Sequence, residues 1–445
     1  MRSTFVITGV LLITILLPGG SFDLLAEDDE KTEILNWEEC VRRTRKNNPD
    51  LRSAEAAVEQ SAAGIGQSRS SLLPQVSADL SARHSKSDGE DRSESYSYSL
   101  SARQLIFDGL KSWYNLATSE QQFIVSLFNY DTTSSSLRLN LRAAFIELLK
   151  AQESIELTRS IAERRKQQLD MVSLRYDAGR EHKGSLMTAR ANLAEAQFDV
   201  RQARREIRLA RQQLAVEMGY SKFFPIRAAG TLETEIPIEP DVDVRVLARN
   251  HPSVLSKTAA RISAEYGLKS AWSEFFPQIN GTGSIGRSAS DWPPPDEDWS
   301  VGISLSVPLF QGGDNIEGVY SEKAALREAK ENEKSEFNDV LYTLEERRKN
   351  LEDAVEEVEI SRQFLAADRE RSRISEAQYS HGLLSFDNWI IIEDNLVRSR
   401  KTYLESRAAA MRAQAQWDEA RGLTLGFSPD SNPLLRETRP ESEEE

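Results

Sequence analysis

The chain has 445 residues, 39% hydrophobic, 29% charged and 8% aromatic, which is thin for compact cores at this length and favours an extended helical protein. With 56 Lys+Arg against 71 Asp+Glu the formal charge is -15, which excludes the basic footprint of nucleic-acid binding, so no nucleic-acid partner is expected. One cysteine, Cys40, and four histidines allow no internal disulfide and leave little for a metal site; no metal or cofactor is expected.

Arg2, the apolar run 5–17, Pro18-Gly19-Gly20 and Ala26 stand in the order of a secretory signal, which sets residues 1–26 apart from the fold. From Trp37 to about Ser71 the apolar period is helical, interrupted at Asn48-Pro49, where proline can open a helix but would break a running one. The period then becomes two. Val76, Ala78, Leu80 and Ala82 alternate with Ser77, Asp79, Ser81 and Arg83, and Tyr96, Tyr98, Leu100 and Ala102 alternate with serines and Arg103. The pattern predicts a β-hairpin over 76–105 with one apolar face, each strand long enough to cross a bilayer when tilted. Helical spacing returns over 110–178 along Leu137, Leu141, Ala144, Leu148 and Ala151, with Thr158 and Arg165 as polar lapses in a coiled-coil seam. That helix would be roughly 100 Å long. After a turn, a shorter helix returns over 185–219.

The whole design then repeats. Asn48-Pro49 recurs as His251-Pro252, Leu73-Pro74-Gln75 as Phe276-Pro277-Gln278, Phe107-Asp108-Gly109 as Phe310-Gln311-Gly312, the Tyr176 to Gly179 turn as Tyr379 to Gly382, and Gly219 as Gly422, all at an offset of 203 residues. The predicted organisation is a first repeat over 27–224, a linker over 225–240 and a second repeat over 241–427. The second repeat contains a hairpin (278–308), a long helix (313–381) and a shorter one (386–422). An acidic disordered tail (428–445) ends the chain. In the second hairpin Trp299, Val301, Ile303, Leu305 and Val307 carry the apolar face.

Four amphipathic strands cannot close a barrel, and an open edge in lipid leaves backbone groups unsatisfied. Two chains would supply eight strands, nearly filled by side chains, whereas three would supply twelve and room for a wet lumen. The ordered, duplicated set of Trp37-Glu38-Glu39-Cys40, Asn48-Pro49, Leu-Pro-Gln and Phe-Pro-Gln, the strand exits at Phe107-Asp108-Gly109 and Phe310-Gln311-Gly312-Gly313, and the Tyr-x-x-Gly turns resembles the TolC-type outer-membrane efflux protein family. The resemblance implies a mainly α fold with a small β part. Long antiparallel coiled-coil helices would form an α-barrel tunnel, and four transmembrane strands per chain would complete a twelve-stranded barrel in a homotrimer. It also implies a place in the outer membrane, in contact with its lipid, with a periplasmic extension. The partners it implies are a periplasmic adaptor and an inner-membrane transporter, and cargo would pass through without chemical change.

Under that resemblance the lipid-facing strand residues are Leu80, Tyr98, Leu100, Val301, Ile303 and Leu305. The helix turns form tips that contact the adaptor, through Arg180, His182, Lys183 and Gly184 in the first and Gly382, Leu383 and Leu384 in the second. Some family members narrow the periplasmic entrance with acids six and nine residues after the second-turn glycine, but here those positions are Asn388 and Ile391. The entrance candidates are therefore Asp387, Asn388, Glu393 and Asp394, of which Asp387 and Asp394 share a helix face. A threefold ring of such carboxylates would attract cations. No phosphate loop, zinc-spaced His/Glu pair or nucleophile elbow is present, so no enzymatic activity is expected. A periplasmic coiled-coil scaffold or adaptor would share the helices, but gives no reason for four bilayer-length strands with one apolar face.

Overall fold

The computed structural model describes residues 32–85, 93–232 and 243–426. The signal segment, the tail, the loop between the first two long strands and the second half of the linker lie outside the described residues. The chain opens on β1 (Glu33–Leu35), α1 (Trp37–Asn47) and α2 (Pro49–Ser70), turns through β2 (Gln75–Ser85) and β3 (Ser93–Phe107), and continues as α3 (Lys111–Asp177) and α4 (Lys183–Glu217). Then β4 (Ile226–Ala228) and α5 (Val244–Arg249) lead into α6 (Pro252–Ser273), β5 (Gln278–Ala289), β6 (Glu297–Ser306), α7 (Asp314–Ser380) and α8 (Phe386–Ala420). The two long helices have 67 residues each, so each spans about 100 Å.

Each half is an antiparallel helical hairpin carried below a β-hairpin. α4 lays Ala189, Ala196, Ala203 and Ala210 against α3, and such small side chains let two long helices approach closely over many turns. In α3 the seam runs through Leu137, Leu141, Ala144, Leu148 and Ala151, and both polar lapses are buried within it, Thr158 and Arg165 included. The two halves join through α3, which packs on both α6 and α8.

The recurring sequence marks meet one another in space. Asn48 caps α2 by accepting from the backbone N–H of Asp50 (2.9 Å) and Leu51 (3.2 Å), and its own amide donates to the Glu217 carbonyl at 3.0 Å. Beyond that carbonyl, Gly219 has φ +84, and a Cβ there would lie 2.5 Å from the Asn47 carbonyl oxygen. Gly422 repeats the arrangement at φ +76 against Pro252. The glycine thus supplies both a left-handed C-terminal turn and a close approach to the cap of another helix. Gly219→Ala should therefore lower stability by roughly 1–3 kcal/mol, against about 1 kcal/mol for Gly179→Ala, since Gly179 shares the positive φ but has open space around it. Denaturation of the two variants side by side checks this; equal losses would refute the close-approach argument.

One part of the predicted organisation needs correction. The stretch read as a linker contains β4, which pairs in parallel with β1 in the register Ile34↔Arg227. Gln152 of α3 fastens this small sheet, accepting from the Ala228 N–H (2.8 Å) and donating to its carbonyl (3.1 Å). Strands of three residues are too short to show a period of two.

Candidate functional site

The four long strands form one antiparallel sheet in the order β2-β3-β5-β6. Directly paired residues share a face, so the register fixes which side chains stand together. Leu80 pairs with Tyr98, Ala78 with Leu100, Leu100 with Ile285, Gly283 with Val301, Gly281 with Ile303 and Ile279 with Leu305. The six predicted lipid-facing residues therefore occupy one face, and all are exposed, Val301 at 78% and Ile303 at 76%. Along β6 and the residue beyond it, Trp299 to Val307 covers about 26 Å at ~3.3 Å per residue. At the outer end Trp292 makes edge contacts with Tyr96 and Tyr98 at 6.0 and 6.2 Å. The other face is a serine ladder, with Ser77–Ser101 and Ser81–Ser97 at 2.8 Å and Ser284–Ser300 at 2.9 Å.

At the far end of the helices the two tips are joined. His182 is the N-cap of α4, its Nδ1 accepting from the Ser185 N–H at 3.2 Å, and Gly184 leaves room for the imidazole, which a Cβ would meet at 2.9 Å. Arg180, Lys183 and Gly184 are exposed, as are Gly382 and Leu383, the latter at 79%. Leu384 instead packs on a cluster of Val172, Leu186, Ala189, Tyr379, Phe386 and Trp389. The apolar second turn is thus divided, with Leu383 outward and Leu384 and Phe386 packed inward. The apolar sequence of this turn reads as a packing or docking surface, and Phe386 packs its ring against Tyr379 and Trp389. Tyr379 stacks on Trp389 with ring centroids 4.3 Å apart, whereas Tyr176, read from sequence as its equal, remains exposed.

Tyr379 also bonds across the tips. Its hydroxyl donates to Glu181 Oε2 at 2.9 Å, and Arg175 lies 4.5 Å over its ring while donating to its carbonyl at 2.6 Å. Burial and the Glu181 bond push the phenol up. Burial acts to raise the Glu181 carboxyl, but hydrogen bonds from Ser185, Tyr379 and the His182 backbone outweigh it and hold the group below its ordinary 4.5. A depressed carboxyl stabilises the fold fully above that ordinary value and loses the contribution as pH falls through the lower, folded value. Hydrogen exchange at the tip turns should therefore accelerate below about pH 4.5, and Glu181→Gln should abolish that step; a pH-independent tip would contradict it.

About two turns inward from the tips, Glu393 is buried at 1% exposure. Its Oε2 accepts from Arg164 Nε (2.6 Å) and Gln168 Nε2 (2.6 Å), and its Oε1 from Arg164 Nη2 (2.9 Å) and Ser372 Oγ (2.6 Å). Arg164 reaches Glu376 as well, at 3.3 Å, and the neighbouring Arg165 pairs with Asp394. The bond from Glu393 raises Arg164 above the ordinary arginine range. Burial, followed by the charges of Arg164 and Arg369, lowers Arg400 beside them.

This placement removes Glu393 from the set of entrance candidates. A carboxylate with both oxygens occupied inside the joint between α3, α7 and α8 is a fastening and cannot line an opening. Asp387, Asn388 and Asp394 are exposed on α8, though Asp394 is tied to Arg165. Sequence reasoning missed Arg164, Gln168, Glu181 and Trp389. The lone signal was Arg165 interrupting the seam, since a charge at a core position calls for a buried partner. Among the described residues no three His, Cys, Asp or Glu side chains group as a metal site, and no helix is long and apolar enough to cross a membrane.

The sequence family described as "Outer membrane efflux protein" matches residues 40–219 and 244–422, most of the chain. The chain belongs to the outer membrane efflux protein family. It is 25% identical over 369 residues to the outer membrane protein TolC of Escherichia coli, with 78% of this chain and 74% of that protein covered. It is 22% identical over 366 residues to the outer membrane efflux protein BepC of Brucella suis, with 80% and 75% covered. In fold it is similar to the solved structure of CusC (TM-score 0.78, 17% identity, 86% of this chain and 91% of that one). The open state of the MtrE outer membrane channel of Neisseria gonorrhoeae is also similar (TM-score 0.77, 19% identity, 86% and 88% covered). Family membership makes this an outer membrane protein, with the helices of α3, α4, α7 and α8 as its periplasmic extension and the four-stranded sheet at its membrane end.

Proposed function

We propose that three copies of this chain close a twelve-stranded barrel in the outer membrane, continued into the periplasm by a tunnel of long helices, and that the assembly exports cargo without altering it. The observation that carries this reading is the four-stranded sheet with one apolar face and two unpaired edges, β2 and β6. In lipid those edges must find strands, and three sheets supply the smallest closed barrel with room for a wet lumen on the serine-lined side. In this reading Leu80, Tyr98, Leu100, Val301, Ile303 and Leu305 face acyl chains. The tips, through Arg180, His182, Lys183, Gly184, Gly382, Leu383 and Leu384, receive a periplasmic adaptor that couples the channel to an inner-membrane transporter, and Asp387, Asn388 and Asp394 stand around the periplasmic entrance. The relatives AprF, an alkaline protease secretion protein, and CusC, a cation efflux system protein, support export as the shared task.

The test is the mass of the detergent-extracted protein by light scattering, with the detergent subtracted, followed by conductance in a planar bilayer. Three chains per particle and an open conductance are expected. A soluble monomer or dimer absent from outer membranes would replace the channel with a periplasmic scaffold.

A further inference from the structure

Where the helices meet the sheet, the two repeats do not match. A groove of about 340 Å³ at this junction is lined by Phe107 at the end of β3, Leu110 and Tyr114 at the start of α3, Lys269 and Trp272 on α6, and Phe276 just beyond it. Phe107 pairs with Ile279 and Ile279 with Leu305, so the groove opens onto the helix-side end of the sheet's apolar face. The residues 203 positions away are of different kinds: Gly313 answers Leu110, Glu317 answers Tyr114, Gly66 answers Lys269 and Arg69 answers Trp272. The groove is therefore not a by-product of the duplicated design.

Two features of its wall are not accounted for by packing within the chain. Leu110 has φ 71, the only positive value on a residue other than glycine among the described residues, and its side chain stands 47% exposed. A left-handed backbone disfavours any side chain, and the counterpart Gly313, at φ +97, carries none. A leucine kept in that conformation and turned outward calls for an apolar group to meet it. The second feature is Lys269, whose ammonium lies 4.9 Å over the Tyr266 ring and 5.9 Å over Tyr114, the two rings being stacked at 6.4 Å. The rings hold the cation in place without neutralising it. No carboxylate among the described residues pairs with it, and the acids on either side of it in sequence are taken, Glu265 by Arg261 at 2.6 Å and Glu274 by Lys111 at 2.8 Å.

We propose that this groove seats one phospholipid of the leaflet nearest the helices, its phosphate on the Lys269 ammonium and an acyl chain running from Leu110, Trp272 and Phe276 onto the apolar face of the sheet. The proposal rests on the reading of that face as lipid-facing. A lysine is a compact point charge suited to a phosphate, and tryptophan and tyrosine favour the boundary between acyl chains and water, where headgroups lie. Free phosphate would use the lysine and leave the apolar wall bare, and an uncharged apolar molecule would fill the wall and leave the lysine unanswered. A phosphate that carries acyl chains meets both. Because the second repeat lacks these residues, one such lipid is expected per chain.

The test is native mass spectrometry of the protein extracted from outer membranes in mild detergent, titrated with phosphatidylglycerol or with diacylglycerol of the same chains. The tightest phosphatidylglycerol class should number one molecule per chain and bind several-fold more strongly than diacylglycerol. Lys269→Gln, at an exposed position, should remove that preference and leave diacylglycerol binding unchanged. Lys111→Gln, which deletes a lysine already paired with Glu274, should change neither. Leu110→Gly should keep the folded yield, since glycine accepts the left-handed backbone, and weaken both lipids. Equal binding of the two lipids, or phosphatidylglycerol binding indifferent to Lys269→Gln, would overturn the seat while the protein stays in the outer membrane and the barrel reading stands. Recovery of the chain only as a soluble periplasmic protein would remove the barrel reading and the seat with it.

Discussion

Ile303→Arg should cost about 2–4 kcal/mol of membrane-inserted stability, the depth-dependent penalty for a guanidinium on the lipid face of a barrel near the bilayer midplane. Ile303 is 76% exposed in the isolated chain, so in water the same substitution would cost almost nothing. The side chain pairs with Gly281 across the sheet, where no neighbour could screen a charge or accept its hydrogen bonds. Leu100→Arg, between Ala78 and Ile285, should behave alike. Ser99→Arg is the control. Its neighbours Ser97 and Ser101 belong to the serine ladder, and it pairs across the sheet with Asp79 on one side and Gly286 on the other, so this variant should fold and change conductance instead. Folded yield in outer membranes, with urea unfolding in lipid vesicles, reads the difference. Wild-type stability for Ile303→Arg and Leu100→Arg would mean that the apolar face does not meet lipid.

Much of this was legible because the informative features are periodic. Alternation along Val76 to Ala82 and Tyr96 to Ala102 set the strand faces before any pairing was known, since a slip of one residue would turn every apolar side chain to the other face. The duplication was legible because helix caps and positive-φ turns restrict residue type locally, as Asn48 and Gly219 do. That these two marks touch was not legible: the contact joins residues about 170 apart, and neither carries a trace of the other. The tip joint was hidden for a similar reason. Glu393 looked like any acid on a long amphipathic helix, and only the fold brings Arg164 and Gln168 to its two oxygens. Charged residues on such helices are usually solvated, which made exposure the natural expectation for Glu393 and Asp394 alike. The tertiary arrangement separates them although they are adjacent in sequence.

Glu393→Ala should be the most damaging single change in the helical part, at about 3–5 kcal/mol, because it removes one partner of a buried ion pair and leaves the other charged. Three donors close on this carboxylate from two helices: Arg164 and Gln168 on α3, and Ser372 on α7, with α8 supplying the acid itself. Without it, Arg164 keeps Glu376 at 3.3 Å, a longer and more exposed contact, and stands closer in effect to Arg400, whose guanidinium is already lowered by burial and by the Arg164 charge. The first result expected is faster hydrogen exchange in the lower turns of α8 and in α3 around Arg164, with the upper helices and the sheet unchanged, since the joint lies about two turns from the tips. Glu393→Gln should lose less, because the amide can still accept from Arg164 or Gln168. Replacing both partners, Glu393→Leu with Arg164→Met, should recover much of the loss, because an apolar pair of similar volume leaves no uncompensated charge. That recovery is what distinguishes an electrostatic fastening from simple packing. If the double variant were no better than Glu393→Ala, the cost would belong to a cavity and the ion pair would not be what holds the two hairpins together near their tips.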